Sequence, residues 1–300
     1  MKHKRVEKIK PDIKRIRRIA VPVLLCLILL FSYTPPGKEL WTYLSYTVGL
    51  THFTANLSEE ELHIHVIDVG KADAILIESP GAAILVDCGT EAEAETVLRY
   101  LSVRKITELD AVWITHGDSD HCGGLSELAS EIKIAGIYQS PTGTQTTFAE
   151  TASFPEAGET YNYEDFSLEV LAPLDQYEDE NNNSIVFRLV YKDFSMLFCG
   201  DIEEAAEEDL LLSSADLQAD VLKVAHHGSN TSTSQVFLLA VQPQYAVISV
   251  GEDRNNLPRN AVLKRLTDAD IDFFRTDTDG TIVLSTDGYK IKILTENAER

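Results

Sequence analysis

Cysteine is scarce in this chain: 300 residues contain four, Cys26, Cys88, Cys122 and Cys199. Cys26 lies in an apolar N-terminal stretch, which leaves an odd number for pairing in the rest of the chain. Disulfide-rich secreted scaffolds carry a dense, even set of cysteines. The sequence therefore excludes that class, and an apolar core has to hold the fold. A hydrophobic content of 44% is ordinary for such a core.

The chain also lacks an apolar run of the roughly 20 residues that an upright membrane helix needs. IAVPVLLCLILLFSY, residues 19–33, has 15 uncharged residues and follows a basic head. A basic region before a short apolar run is typical of a signal peptide or signal anchor. We predict such a helical segment over residues 1–37 and a connector over residues 38–60. The alternative is a basic, apolar helix that packs on the domain.

The basic head also predicts where the protein is located. Lys and Arg beside an apolar segment favour the cytoplasmic side of the membrane. The sequence therefore predicts a protein of the cell membrane, held through residues 19–33, with its body outside the cytoplasm. If the signal is cleaved, the body is secreted. No obligate protein partner is evident from the sequence.

Positive charge is scarce in the body of the protein. Residues 1–18 carry nine Lys or Arg against two acidic residues, so they contribute +7 to a net charge of −22 and leave −29 on the rest. A body that acidic repels polyanions at long range. A nucleic-acid substrate would therefore have to be held locally or through bound cations.

From residue 61 onward, short apolar runs of strand character alternate with helical patterns. HIHVIDVG, AILIES and AAILVDCG open a first series, and FSLEVLAP, SIVFRLVY and FSMLFCGD open a second. Each series continues with strands separated by helices. The pattern predicts an α/β protein, a two-sheet sandwich flanked by helices, formed by one domain over residues 61–297.

Histidine is also scarce, with eight residues, yet two of them lie in THGDSDHCGGL, residues 115–125. His116 follows the apolar strand LDAVWIT, and Asp118, Asp120 and His121 come within the next five positions. Imidazole and carboxylate groups are ligands for zinc, manganese and iron. A polar loop with a helix N-cap would explain one Asp, but not two His. The loop therefore predicts a metal site.

Two further segments end apolar strands with possible ligands. Asp201 ends FSMLFCGD, and His226 with His227 ends ADVLKVAHHGS. If one sheet edge gathers these strand ends, the side chains meet at a single site. Two bonds of about 2.0–2.2 Å to one ion place ligand atoms roughly 3–4 Å apart. We therefore expect His121 and Asp201 to point toward the same centre.

Together with IDVGKADAILIE, LVDCG, NNSIVFRLVY, VISVG and FFRTDTDGTIVLSTDG, these segments resemble the metallo-β-lactamase superfamily. Within it, the pattern is most similar to the hydrolase domain of the DNA-uptake protein ComEC and its stand-alone relatives. The resemblance implies a four-layer αββα sandwich and a metal-dependent hydrolase. It also implies one or two divalent ions per chain, Zn or Mn, which activate water for attack on a phosphorus or carbonyl centre.

The metal ligands that the resemblance implies are His116, Asp118, Asp120, His121, Asp201, His226 and His227. The first two would hold one ion, the next two a second ion, and Asp201 would bridge them. One of the two adjacent histidines would close the second site, and the sequence leaves open which one. The other would contact substrate or move a proton. Among these residues, Asp120 and His227 receive the catalytic roles.

Three further residues would support those ligands. Asp87 is expected to accept a hydrogen bond from a ligand imidazole and so orient it, as metal-bound His requires. Asn183 and Ser184 lie where many relatives supply another His. We expect both to stand behind the metal ligands.

This sequence departs from the family pattern at several positions. Asp118 stands where most of the superfamily has His, and no His lies between His121 and His226. The first ion therefore lacks a third imidazole, which weakens zinc binding there and favours manganese. Lys71-Ala72 replaces the Gln-Gly of the family pattern.

Several polar residues near these segments receive structural interpretations. Asp73 is expected to fix the opening hairpin, and Lys223 to be an ordinary strand residue with a salt-bridge partner. Lys71 is expected to face solvent; the alternative is contact with a phosphate. His65 alternates with His63 on one strand, and both are interpreted as structural.

Three classes of function remain. The first is an exported or membrane-tethered phosphodiesterase or nuclease, with a phosphodiester substrate that includes DNA as one option. The second is a metallohydrolase that acts on another ester, a lactone or a β-lactam. The third is a weakly catalytic binding module of the same fold.

Overall fold

The computed structural model describes Phe31, residues 57–58, residues 60–251 and residues 256–299. Apart from Phe31, the predicted signal or anchor segment lies outside the described residues, as does most of the predicted connector. No helix in the described part of the chain is long and apolar enough to cross a membrane. The domain described below belongs to the unit Asn56–Arg300.

The first half of the domain contributes seven strands. They are β1 (Leu62–Val66), β2 (Ile75–Glu78), β3 (Ala83–Val86), β4 (Glu108–Leu109), β5 (Ala111–Ile114), β6 (Lys133–Ile134) and β7 (Ile137–Gln139). The second half contributes β8 (Thr160–Asn162), β9 (Ser167–Ala172), β10 (Val186–Tyr191), β11 (Phe194–Phe198), β12 (Val221–Lys223), β13 (Tyr245–Ile248), β14 (Asp272–Arg275), β15 (Ile282–Thr286) and β16 (Ile291–Thr295).

The strands form two seven-stranded sheets. The first sheet has the order β16-β15-β1-β2-β3-β5-β7, and the second has the order β14-β13-β12-β11-β10-β9-β8. In the first sheet β3, β5 and β7 run parallel, and in the second β11 to β14 run parallel. Parallel strands bring their carboxyl ends to one edge of a sheet. β4 and β6 form a separate short parallel pair.

Helices follow the parallel strands. They are α1 (Ala94–Val103), α2 (Ser119–Cys122), α3 (Leu125–Glu131), α4 (Glu204–Leu212), α5 (Gln235–Val241), α6 (Asn260–Asp268) and α7 (Thr276–Asp279). The Ser234 hydroxyl accepts a hydrogen bond from the Phe237 backbone N–H and so caps the start of α5. The described part of the domain also has four 3-10 turns, at Glu91–Glu93, Asn181–Asn183, Ala225–Gly228 and Glu296–Glu299.

Three apolar clusters explain why the elements stack in layers. The inner faces of both sheets share one core, in which Trp113 of the first sheet and Phe187 of the second are buried. Each such side chain contributes about 1.5–3 kcal/mol by leaving water. A second core joins the first sheet to α1 and α3. A third joins the other sheet to α4, α5 and α6. The predicted α/β sandwich of two large sheets flanked by helices is confirmed.

Candidate metal centre

The candidate site lies where strand ends of both sheets meet. Asp87 follows β3 and His116 follows β5 in the first sheet, while Asp201 follows β11 and His227 follows β12 in the second. These four side chains are between 0% and 2% exposed. The strands of both sheets therefore fix the positions of these residues, and the side chains are buried among the loops that follow the strands.

Two imidazoles converge on Asp201, and Asp120 faces one of them. Its Oδ2 lies 3.3 Å from His121 Nε2 and 3.4 Å from His227 Nε2. Asp120 Oδ2 lies 3.6 Å from the same His227 nitrogen. These separations fall within the roughly 3–4 Å expected for atoms that share one ion. His121 and Asp201 point toward the same centre, as the sequence predicted.

The polar atoms of this centre fit a divalent cation. The Nε2 atoms of His116, His121 and His227 and the Oδ1 atom of Asp201 are buried and have no hydrogen-bond partner in the described part of the chain. A buried polar atom without a partner costs about 1–3 kcal/mol. Four groups among the described residues offer ligand atoms within 4.8 Å of one another; two of them are His116, His121 and Asp201, and Asp120, His121 and His227, and the other two include Asp73. Imidazole nitrogen and carboxylate oxygen are suitable donors for such an ion.

Hydrogen bonds turn the Nε2 atoms of two imidazoles toward the centre. His121 Nδ1 lies 2.8 Å from Asp87 Oδ2, and His227 Nδ1 lies 2.9 Å from the Ser249 carbonyl oxygen. A carbonyl and a carboxylate oxygen only accept, so each Nδ1 carries the proton. When the ring is neutral, each Nε2 then presents a lone pair to the centre. The predicted orienting role of Asp87 agrees with this geometry.

Asp87 is itself held by the first residue after β5. It accepts hydrogen bonds from the Thr115 backbone N–H and from the Thr115 hydroxyl, both at 2.8 Å. The Thr115 hydroxyl also lies 3.1 Å from His116 Nδ1. Asp87 adopts a left-handed backbone conformation with φ 57°. This conformation is uncommon for a residue other than glycine and is typical of functional sites.

The structure distinguishes the two adjacent histidines. His227 is 0% exposed and faces Asp201 and Asp120. His226 lies at the rim: its side chain is 21% exposed, its Nε2 is 4.0 Å from Asp201 Oδ2, and its Nδ1 is 3.0 Å from Glu203 Oε1. Both residues have left-handed backbone, with φ 48° and 50°. This turn separates the directions of two consecutive side chains.

The remaining loop carboxylates occupy different environments. Asp118 Oδ2 lies 3.8 Å from His116 Nε2, and the Asp118 side chain is 49% exposed, so this residue stands at the rim. Asp120 Oδ2 accepts a hydrogen bond of 2.6 Å from Lys71 Nζ. The Lys71 side chain is 25% exposed. The prediction that Lys71 faces solvent was therefore wrong, because the turn after β1 directs it toward Asp120.

The charges of the centre are strongly coupled. Burial raises the pKa of the Asp201 carboxyl, but His227 and His121 outweigh burial and hold that pKa well below its ordinary value. Burial lowers the pKa of His121, but Asp201 and Asp87 outweigh it and raise that pKa well above its ordinary value. The carboxylates thus favour a cation at this point, and a divalent ion bound there would compete with the His121 proton.

Asn183 and Ser184 differ in what they support. The Ser184 hydroxyl accepts a hydrogen bond from the Asp201 backbone N–H at 3.1 Å, so it fixes the segment that carries this carboxylate. The Asn183 amide instead closes its own loop, where it bonds the backbone of Tyr177 and Asp179. The side-chain amide of Asn183 is therefore engaged within its loop, and among the two residues Ser184 is the one that bonds the segment of a candidate ligand.

Two residues beside the centre received structural interpretations from the sequence, and the prediction that Lys223 has a salt-bridge partner is confirmed. Asp73 and Lys223 form a buried ion pair, with 2.8 Å between Oδ2 and Nζ. Burial lowers the pKa of Lys223, but Asp73 and Asp201 outweigh burial and raise it, so the residue is charged. A lysine inside the apolar run VLKVA was the signal that could have identified this pair.

Comparison with known proteins agrees with this arrangement. A family model described as the metallo-beta-lactamase superfamily matches residues 67–252. Competence protein ComA of Neisseria gonorrhoeae is 32% identical over 250 residues, which cover 82% of this chain and 35% of that protein. ComE operon protein 3 of Bacillus subtilis is 28% identical over 267 residues, which cover 79% of this chain and 34% of that protein. The chain spans about a third of the length of these curated relatives.

Among solved structures, the metallo-beta-lactamase fold protein YhfI of Bacillus subtilis superposes with a TM-score of 0.54 at 13% identity. The match covers 76% of this chain and 100% of YhfI, and it supports the fold alone. The family model covers more than half of the chain, and the two-sheet architecture agrees with it. The chain therefore belongs to the metallo-β-lactamase superfamily, whose members are generally metal-dependent hydrolases, and its relatives include ComEC-like competence proteins.

Proposed function

We propose that this protein is a metal-dependent phosphodiesterase, with nuclease activity as one form of that reaction. The observation that carries the proposal is the buried, unpaired set of Nε2 atoms facing Asp201. The four metal ligands deepest in the site would be His116, His121, Asp201 and His227, with Asp120 beside them. A divalent cation bound there lowers the pKa of water and polarises a phosphoryl oxygen.

The residues around these ligands divide the remaining tasks. His227 is fully buried, so we assign it to metal binding and not to proton transfer. His226 lies at the rim with Nδ1 held by Glu203, which leaves its Nε2 to contact a substrate oxygen or to move a proton there. Asp120 lies between Lys71 and His227, so its carboxylate can contact both the Lys71 ammonium group and a metal ion that His227 binds. Asp118 is the exposed ligand of the weaker position, where manganese is favoured over zinc.

The charges at the site favour a phosphodiester group, whereas the charge of the whole protein surface disfavours a long nucleic acid. The Lys71 ammonium group places one positive charge beside Asp120, and bound metal ions would add further positive charge. The net charge of −29 on the residues outside the basic head repels a polyanion at long range. Kinship with proteins named for competence supports DNA as one substrate. A cell-wall phosphodiester or a small phosphoester is equally compatible with the site.

A panel of substrates tests the proposal. The full chain, stripped with a chelator and reloaded with Mn²⁺, is expected to hydrolyse bis-p-nitrophenyl phosphate, whereas Asp201→Asn is expected to be inactive. Asp110→Asn is the matched control, because Asp110 lies at the other end of β5 and its carboxylate accepts a hydrogen bond from the Ala83 backbone N–H, away from the centre. Hydrolysis of a β-lactam or lactone without phosphodiester hydrolysis would contradict the proposal. Metal binding without any hydrolysis would favour a binding module.

We also propose that the protein is exported and held at the membrane through residues 19–33. The basic head followed by a short apolar run supports this location. A reporter fused after residue 300 is expected to be active only outside the cytoplasm. Cytoplasmic reporter activity would overturn this topology.

A further inference from the structure

A buried ion pair joins the two sheets beneath the candidate metal centre. Lys223 ends β12 in the second sheet and is 1% exposed, and Asp73 lies in the loop between β1 and β2 of the first sheet and is 2% exposed. Lys223 Nζ lies 2.8 Å from Asp73 Oδ2 and also donates to the Val224 carbonyl oxygen at 3.2 Å. The pair therefore connects the sheets at the edge where the ligands converge.

The backbone of Asp73 extends this connection to two ligand loops. Its N–H donates to the Asp120 carbonyl oxygen at 3.1 Å, and its carbonyl oxygen accepts from the Gly89 N–H at 2.7 Å. Asp120 belongs to the loop that carries the first-sheet ligands, and Gly89 follows the turn that carries Asp87. One residue thus contacts the Asp120 loop, the Asp87 turn and, through Lys223, the strand that leads to His227.

The Asp73 carboxylate also lies behind two ligand imidazoles. Its Oδ2 is 3.9 Å from His121 Nδ1, and its Oδ1 is 3.9 Å from His227 Nδ1. Both nitrogens bond other acceptors, Asp87 and the Ser249 carbonyl. The carboxylate therefore acts on the rings through its charge and its position, and Lys223 compensates that charge within the protein.

Stability alone does not account for such a pair. Replacing a buried ion pair by groups of similar volume is often neutral or stabilising, whereas removing one partner leaves a buried charge. We propose that Asp73 and Lys223 are positioning residues that set the distance between the Asp120–His121 loop of one sheet and His227 of the other. They thereby determine how tightly the centre binds divalent cations. This inference rests on the proposed metal-dependent function.

The test compares metal affinity with folding in the full chain. Lys223→Met is expected to lower the Tm of the metal-free protein, because it leaves Asp73 unpaired. The double variant Asp73→Asn/Lys223→Met is expected to recover the Tm and still bind Mn²⁺ about 10–100-fold more weakly than wild type, the range for residues that orient metal ligands. Free Mn²⁺ is counted by electron paramagnetic resonance. The d–d spectrum of bound Co²⁺ is expected to shift, since ligand positions change.

Lys292→Met/Glu61→Gln is the matched control. These residues form an ion pair of 2.7 Å at the opposite end of the first sheet, so their removal is expected to leave Mn²⁺ affinity unchanged. A folded Asp73→Asn/Lys223→Met protein with wild-type Mn²⁺ affinity and Co²⁺ spectrum would overturn the inference. If the double variant does not fold, Asp73→Asn alone is read in the same way. Wild-type protein that binds no divalent cation would instead refute the proposed function.

Discussion

Replacing Asp87 by Asn tests how the first-sheet ligands are oriented. The two Asp87 oxygens accept three hydrogen bonds, from His121 Nδ1, the Thr115 N–H and the Thr115 hydroxyl. Asn has one oxygen and one NH₂ group in the same space. If the oxygen stays with the Thr115 N–H, the NH₂ group points at His121 Nδ1. His121 then has to carry its proton on Nε2, the atom that faces Asp201, and can no longer offer a lone pair there.

The opposite amide orientation is also costly. The NH₂ group would then face the Thr115 N–H, which leaves a buried donor without an acceptor at a cost of about 1–3 kcal/mol. Either arrangement weakens the centre. We expect Asp87→Asn to reduce Mn²⁺ affinity about 10–100-fold, the usual effect of losing a residue that orients a metal-bound His. This corresponds to about 1.4–2.8 kcal/mol of binding free energy.

The assay is a Mn²⁺ titration of the metal-free full chain, with Tm measured on the same samples. Asp110→Asn provides the matched control, since it makes the same chemical change at the far end of β5. Its Mn²⁺ affinity is expected to equal that of wild type. An Asp87→Asn protein that folds and binds Mn²⁺ within about twofold of wild type would refute the tautomer argument.

Three further outcomes are expected. His227→Ala abolishes measurable Mn²⁺ binding, whereas His226→Ala keeps Mn²⁺ affinity and lowers kcat for bis-p-nitrophenyl phosphate; equal losses of affinity would contradict the assignment. We propose that Lys71 Nζ, which bonds Asp120, also donates to a phosphate oxygen of the substrate. Lys71→Gln is then expected to raise KM for this substrate about tenfold, the effect of one charge-assisted hydrogen bond of about 1.5 kcal/mol, and an unchanged KM would exclude that contact. Burial lowers the pKa of His65 from 6.5 to about 4. Between these two pH values the unfolded chain binds more protons than the folded protein, so the free energy of unfolding falls by about 3 kcal/mol as the pH drops from 6.5 to 4. The urea midpoint of His65→Gln is expected to fall less steeply between pH 7 and 4 than that of wild type. The same pH dependence in both proteins would refute the argument.

The ligand set could be predicted because each member follows an apolar strand. His116, Asp201 and His227 come directly after β5, β11 and β12 or within a few residues of them, and parallel strands bring such ends to one edge. Strand patterns also predicted the two sheets and the helices that flank them. These features depend on local periodicity, which a single sequence carries.

The other features depend on geometry that the sequence does not carry. Which imidazole of the adjacent pair enters the centre depends on left-handed backbone at His226 and His227. The contact between Asp73 and Lys223 depends on how the two sheets pack, since these residues are 150 positions apart. Asn183 was expected behind the metal ligands because of its place in the order of segments, yet its amide closes its own loop.

The central claim is that His121, Asp201 and His227 hold a divalent cation between the two sheets. Anomalous diffraction from crystals of the full chain grown with Zn²⁺ tests it most directly. We expect a peak about 2.0–2.2 Å from the Nε2 atoms of both histidines and from an Asp201 oxygen. A map with no peak at this position, or with Zn²⁺ bound only elsewhere, would contradict the account.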